Sequence, residues 1–246
     1  MLWLSVSCSG RVAHRTHVRY NETVTAAPAL PRRDAEARAR LREVAGRARP
    51  LTLSRERLLP VAEPLAELLP GGGLRRGTVV SVEGRGATGA TSLAWTLAAA
   101  ATDAGEWAAA VDLHGTLGME SAAASGVALE RFPVVRGVTS DRWATVVAAL
   151  LDGITLVLAE VPRHARPGDV RRIVARARER DAVLVALPTP GATWSGEAAL
   201  RFVSEGGAWH GIACGAGPVT GRAVRVRVGG RGEAARHRVG ALADTG

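Results

Sequence analysis

The sequence predicts an α/β fold: a mostly parallel sheet flanked by helices, with an antiparallel hairpin at the C-terminal end. Three observations predict it. Between 79 and 187, short apolar runs alternate with helical patterns, and strands joined by helical crossovers form parallel sheets covered on both faces. From Gly191 the helical patterns stop, and AVRVRV at 223–228 alternates apolar and basic residues, as a half-exposed antiparallel strand does. A chain of 246 residues, 47% hydrophobic, is long enough to bury a sizeable core.

The elements follow in order. Residues 1–23 have mixed composition and no clear period. From Val24 the style changes to Ala, Arg and Pro, and valine is a common reading of a GTG start codon, so Val24 is expected to be the true start. His14-Arg15-Thr16-His17-Val18-Arg19 can be back-translated to TCGAAC, a short spacer and GTTCGA, the form of an SOS repressor operator. A genuine N-terminal extension is the alternative. Residues 31–49 read as a charged helix with Asp34 near its start and a narrow stripe of Leu41, Val44 and Ala48. Leu58–Leu69 reads as a short helix leading into Gly71-Gly72-Gly73.

Strands are then expected at Val79–Glu83, Trp107–Leu113, Arg131–Val135, Ile154–Ala159 and Ala182–Leu187. Helices are expected at Thr91–Thr102, Gly118–Gly126, Asp141–Leu151 and Gly168–Arg180. Beyond these come short pieces at Leu200–Val203 and Trp209–Ala213, then the hairpin of Ala223–Val228 with Ala235–Val239. The domain reading is a start region 1–23, a helical segment 24–70, a core 71–190 and a β-rich extension 191–246.

The net charge is +9, all 32 basic residues are arginine, and they are dispersed along the chain. This balance suits an acidic partner such as nucleic acid, or equally an arginine-rich solvated surface. Cys8 and Cys214 are far apart and lack metal-ligand spacing, which points to a reduced, cytoplasmic protein. No apolar run approaches the roughly 18–20 residues of a membrane span.

The stretch EGRGATGATSL at 83–93 carries the main functional signal. Gly84, four residues, Gly89, then Ala90 and Thr91 follow the Walker spacing G-x-x-x-x-G-K-[ST] with alanine in place of lysine. Gly84, Gly86 and Gly89 also fit G-x-G-x-x-G, with Asp112 near the place of a ribose-binding acid. A tight strand-to-helix turn is the third reading.

The segment from Leu65 through Gly71-Gly72-Gly73-Leu74 to Gly84 resembles the lead-in to the RecA/KaiC-like ATPase core, as do Thr91-Ser92-Leu93, the alanine-rich helix and Ala110-Val111-Asp112. That resemblance implies a RecA-like core in which a lysine, a metal-binding carboxylate and a water-activating glutamate carry the chemistry. Ala90 stands at the lysine position, and Asp112 is followed by Leu113 and His114, so the glutamate is missing too. Glu160, after the apolar run 154–159, is the one candidate remnant of the Walker B carboxylate. His114 is a candidate replacement base. Phosphoryl transfer depends on positioned charge, so no catalytic residue is expected, and no cofactor beyond weak nucleotide binding.

Asp141–Gly153, Arg171–Arg180 and the tryptophan-bearing C-terminal part with Trp194 and Trp209 resemble the ImuA-prime family, RecA-like mutasome accessory proteins of actinobacteria. The resemblance implies a non-catalytic adaptor in SOS-induced translesion synthesis. It also implies an ImuB-like Y-family partner and, indirectly, an error-prone DnaE-type polymerase and sliding clamp. Arg171, Arg172, Arg176, Trp194, Trp209, Arg225 and Arg227 are the candidate partner or DNA surface, and self-association is a further expectation. The alternatives are an active RecA-like ATPase and a dinucleotide-binding oxidoreductase.

Overall fold

The structure is a computed structural model, and it describes residues 58–84, 88–189, 192–210, 221–230 and 238–244. These belong to one compact unit. The expected start region and the helix at 31–49 lie outside the described residues.

The expected helix over 58–69 is corrected. Leu58–Pro60 is a strand (β1) that pairs antiparallel with Gly73–Arg75 (β2), and only Leu65–Leu68 is helical (α1). Pro60 and Pro64 punctuate the segment, and proline disfavours helix both at its own position and before it. Leu59, Leu65, Leu69 and Leu74 are all buried, so the apolar periodicity is real but is shared between a strand and a helical turn.

The parallel half follows the expected alternation. It contains β3 (Val79–Gly84), α2 (Ala90–Asp103), β4 (Ala108–Asp112), α3 (Met119–Ala124), β5 (Val134–Arg136), α4 (Trp143–Leu151), β6 (Leu156–Val161), α5 (Pro167–Glu179) and β7 (Val183–Pro188). Three further strands complete one sheet: β8 (Leu200–His210), β9 (Gly221–Gly230) and β10 (Arg238–Asp244). The order across it is β10-β9-β8-β3-β7-β6-β4-β5. Strands β8, β3, β7, β6, β4 and β5 run parallel, while β9 is antiparallel to both β8 and β10. The sheet is thus mostly parallel, flanked by helices, with antiparallel pairing at its C-terminal edge.

The piece expected at 200–203 and the first two residues of that expected at 209–213 are one strand, and 211–213 lie outside the described residues. Ser204 pairs with Val226 and Gly207 with Val224, so Glu205 and Gly206 form a bulge. Gly206 has φ +85°, which a glycine adopts without strain. Gly206-Gly207 looks like a break in sequence, yet the ladder runs through it.

Two apolar layers hold the sheet. On one face Val80, Val82, Leu156, Leu158, Val183, Phe202 and Val226 pack with Leu93, Trp95 and Leu97 of α2. Trp95 meets Phe132 edge-on, with ring centroids 5.7 Å apart. On the other face Val157, Ala159, Leu184 and Ala186 pack with Trp143 and Val147 of α4, Ile173 of α5, and Trp194. Among the described residues, no helix is long and apolar enough to cross a membrane.

Candidate functional site

The glycine loop joins β3 to α2. Gly84 ends β3, and Gly89 is the N-cap of α2 with φ +95°. A side chain at Gly89 would be strained by that φ, and its Cβ would lie 2.9 Å from Val224 Cγ2. Gly86 lies outside the described residues. Ala90 opens the helix and packs its methyl group against the apolar layer. Thr91 is exposed, and Ser92 is half-buried with its carbonyl accepting Thr96 Oγ1 at 3.0 Å.

The C-terminal strands close against this loop. Ser204 Oγ of β8 donates to the Thr88 carbonyl at 2.6 Å. The buried Arg222 of β9 brings Nη1 within 3.6 Å of the place a Gly89 Cβ would take. An arginine from the far end of the chain therefore stands beside a loop that lacks its lysine. Nothing local in the sequence marks Arg222 or Ser204, because only strand pairing brings them there.

The second cluster lies across β4 and β6. Strand β7 separates β6 from β3, so Glu160 and the loop are two strand spacings apart, about 10 Å. Glu160 is buried, and its carboxylate turns toward the connection after β4. Oε2 accepts the backbone N–H of Leu113 at 2.7 Å and of His114 at 3.2 Å, and lies 3.3 Å from His114 Nδ1. Oε1 accepts Thr116 Oγ1 at 3.0 Å. The 113–116 segment thus engages both oxygens of the carboxylate. This is the geometry of a loop latch.

Asp112 is fully buried. Its Oδ1 accepts the Thr116 N–H at 3.0 Å and its Oδ2 accepts Arg136 Nε at 2.9 Å. Arg136 also donates to the Leu117 carbonyl at 3.0 Å. A ribose hydroxyl has no open approach to Asp112. His114 is 55% exposed at the side chain, and its Nδ1 lies 3.3 Å from Glu160 Oε2 of this latch. No group of three His, Cys, Asp or Glu side chains among the described residues is arranged to hold a metal ion.

The expected surface residues divide. Arg171 is exposed, and Arg172 pairs with Asp169 at 3.4 Å. Arg176 bonds Asp152 at 2.5 Å and Glu179 at 2.9 Å. The hydrogen bond that the guanidinium donates to Asp152, then that to Glu179, raises its affinity for its proton, and the same Arg176 bond lowers the Asp152 carboxyl pKa. Arg176 thereby ties α5 to the end of α4 and is not a free cation. Arg225 is exposed, and Arg227 pairs with Glu205 at 3.0 Å.

Trp194 is 3% exposed and lies in the core layer with Val170 and Ile173. Its Nε1 donates to the Glu197 carbonyl at 3.4 Å, so it fills the core and presents no docking surface. Trp209 pairs with Arg222 in the backbone ladder; its side chain lies outside the description. The structure brings Arg225 and Arg227 onto one open sheet face with Arg201, and leaves Arg171, Arg172 and Arg176 on α5.

Residues 67–196 match the family model described as the MT3502 N-terminal domain. The match spans more than half of the chain, and the chain belongs to that family. No curated protein matches it.

Proposed function

We propose that this member of the MT3502 N-terminal domain family is a non-catalytic RecA-fold adaptor. It supports damage-induced, error-prone translesion DNA synthesis in the cytoplasm, at the nucleoid, by binding an ImuB-like partner. One observation supports the non-catalytic part: both oxygens of the Glu160 carboxylate are engaged by the connection after β4, through Leu113, His114 and Thr116. Ala90 on the core and Val224 against Gly89 agree with it. The translesion setting rests on the resemblance of 141–153, 171–180 and the tryptophan-bearing C-terminal part to ImuA-prime proteins, and the RecA-like core on that of 65–113 to the RecA/KaiC-like ATPases.

Docking falls to the wing of β8 and β9. Arg201, Arg225 and Arg227 are exposed there, and arginine is enriched at interface anchors. Removal of 221–246 is not a clean test, because Val224, Val226 and Val228 are buried in the core. The test is the triple charge reversal R201E/R225E/R227E, with folding checked by circular dichroism. It is expected to lose binding to the ImuB-like partner while staying folded. A folded variant that binds as tightly as the parent removes the wing from the interface.

The ATPase reading is tested on the same protein. No turnover above background is expected, and Ala90→Lys alone restores none, because the water-activating glutamate is also missing. Turnover that is abolished by a bulky residue at Gly89 overturns the non-catalytic reading. A dinucleotide that co-purifies and is identified by mass supports the oxidoreductase instead.

A further inference from the structure

The sheet ends on β10, which has β9 as its neighbour. The two strands pair without a register shift, from Arg238 opposite Val228 to Asp244 opposite Arg222. On the other side of β10, among the described residues, no strand takes up its backbone N–H and C=O groups. The opposite edge of the sheet, β5, has 3 residues, whereas β10 has 7. A free edge is a template for pairing, and soluble proteins blunt it with lysine, proline, a bulge or a very short strand. The sequence RVGALAD of β10 contains neither lysine nor proline. The bulge of this wing lies one strand pair further in, between β8 and β9.

This edge fits one occupant in particular. Two copies of a strand that pair antiparallel about a twofold axis place residue i of one copy opposite residue j of the other, and j opposite i. Centred on Ala241, the strand RVGALAD sets Arg238 opposite Asp244, Val239 opposite Ala243 and Gly240 opposite Leu242. The one base and the one acid of β10 then meet twice, once at each end of the paired segment. Opposite charges directly across a strand pair favour a register, and like charges oppose it. Any other register loses both charge pairs. Within the chain β9 contains no acidic residue, and Arg238 stands opposite Val228, so β9 offers Arg238 no opposite charge. Asp244 stands opposite Arg222 within the chain, and the second copy sets another arginine on its other side.

We infer that β10 pairs with β10 of a second copy of this chain, antiparallel and centred on Ala241, so that the dimer has one continuous sheet. The twofold axis runs perpendicular to that sheet, and the face that carries Arg201, Arg225 and Arg227 continues on the same side in both copies. This pairing uses the edge of the wing, whereas the docking proposed above uses its open face, and neither depends on the other.

Sedimentation of the full chain over a range of concentrations measures the dimerisation, with the folding of every variant checked by circular dichroism. The parent is expected to pass from monomer to dimer as its concentration rises. Ala241 stands opposite the exposed Arg225 within the chain, so Ala241→Glu suits its own sheet while setting two carboxylates against each other at the axis. Arg238→Asp sets acid against acid at both ends. Each is expected to weaken dimerisation about tenfold, since every substitution acts in both copies. The exchange R238D/D244R restores opposite charges across the axis and is expected to recover the dimerisation that Arg238→Asp loses. A chain that stays monomeric at every concentration, a folded Ala241→Glu that dimerises as tightly as the parent, or a folded R238D/D244R no tighter than Arg238→Asp overturns the inference.

Discussion

Strands β6 and β9 look alike in outline, six apolar-rich residues in LVLAEV and the alternating AVRVRV within β9, but the sheet treats them differently. All six residues of β6 are buried, because helices cover both faces of the parallel half. In β9, Val224, Val226 and Val228 are buried while Arg225 and Arg227 are exposed. Among the described residues no helix covers that face of β8 and β9, and charge pairs occupy it instead: Arg201 with Glu83 at 3.2 Å and Arg227 with Glu205 at 3.0 Å. The parallel half is therefore a scaffold with little accessible sheet surface, and the wing is where the sheet can meet a partner.

The sharpest way to break this contrast is within β8. Phe202 is fully buried and its neighbour Arg201 is exposed on the opposite face. Phe202→Ala is expected to cost about 3–5 kcal/mol of stability in chemical denaturation. In β6 no such asymmetry is expected. Leu158 and Val157 point to opposite layers and both are fully buried. Leu158→Ala is expected to cost about 2–5 kcal/mol and Val157→Ala about 2 kcal/mol. A near-neutral Val157→Ala would mean that the α4–α5 layer is not tightly packed.

The latch sharpens the comparison from inside the parallel half. Glu160→Gln removes the charge and one acceptor oxygen from the Leu113, His114 and Thr116 donors, and is expected to cost about 1–3 kcal/mol. If the residue were held for metal chemistry instead, the substitution would leave stability unchanged and abolish a measurable activity.

A smaller effect is expected at Glu106, which accepts Thr155 Oγ1 at 2.7 Å and Arg76 Nη2 at 2.5 Å. Burial raises its carboxyl pKa, but the bonds from Thr155 and Arg76 outweigh it and the net shift is downward. A folded-state pKa below the unfolded value gives stability that is present above the ordinary carboxylate range and lost as pH falls through the folded value. The stability gap between the parent and Glu106→Gln is thus expected at neutral pH and should close in acid; a gap independent of pH rules out the charge as its cause. The smallest effect belongs to the wing. Arg201→Ala and Arg227→Ala are each expected within about 0.5 kcal/mol of the parent, because exposed ion pairs contribute little.

Much of the fold was legible. The α/β class, the strand–helix alternation from 79 to 187 and the antiparallel C-terminal pairing follow from apolar periodicity, and the structure agrees. The β1–α1 segment was misread because Leu58, Leu65 and Leu69 suit a helix face as well as a strand followed by a turn. Strand β8 was misread as two pieces because a glycine bulge and a chain break look alike in sequence. At the site, the glycine spacing and the missing lysine were visible at once. The surroundings of Glu160 and Arg222 were not.

By itself the sequence determined which residues are present at the loop: glycines at 84, 86 and 89, alanine at 90, and no lysine anywhere to substitute. It also determined the alternation of β9, Val224, Val226 and Val228 inward with Arg225 and Arg227 outward, since alternation is a local property of the pleat. Only the tertiary structure decided what the polar residues do. Glu160 lies 47 residues from Leu113 in the chain, and Ser204 lies 116 from Thr88. No local pattern encodes such pairings. They arise because parallel strands distant in sequence are brought side by side, and a buried carboxylate must then take whichever donors the neighbouring strand's connection supplies.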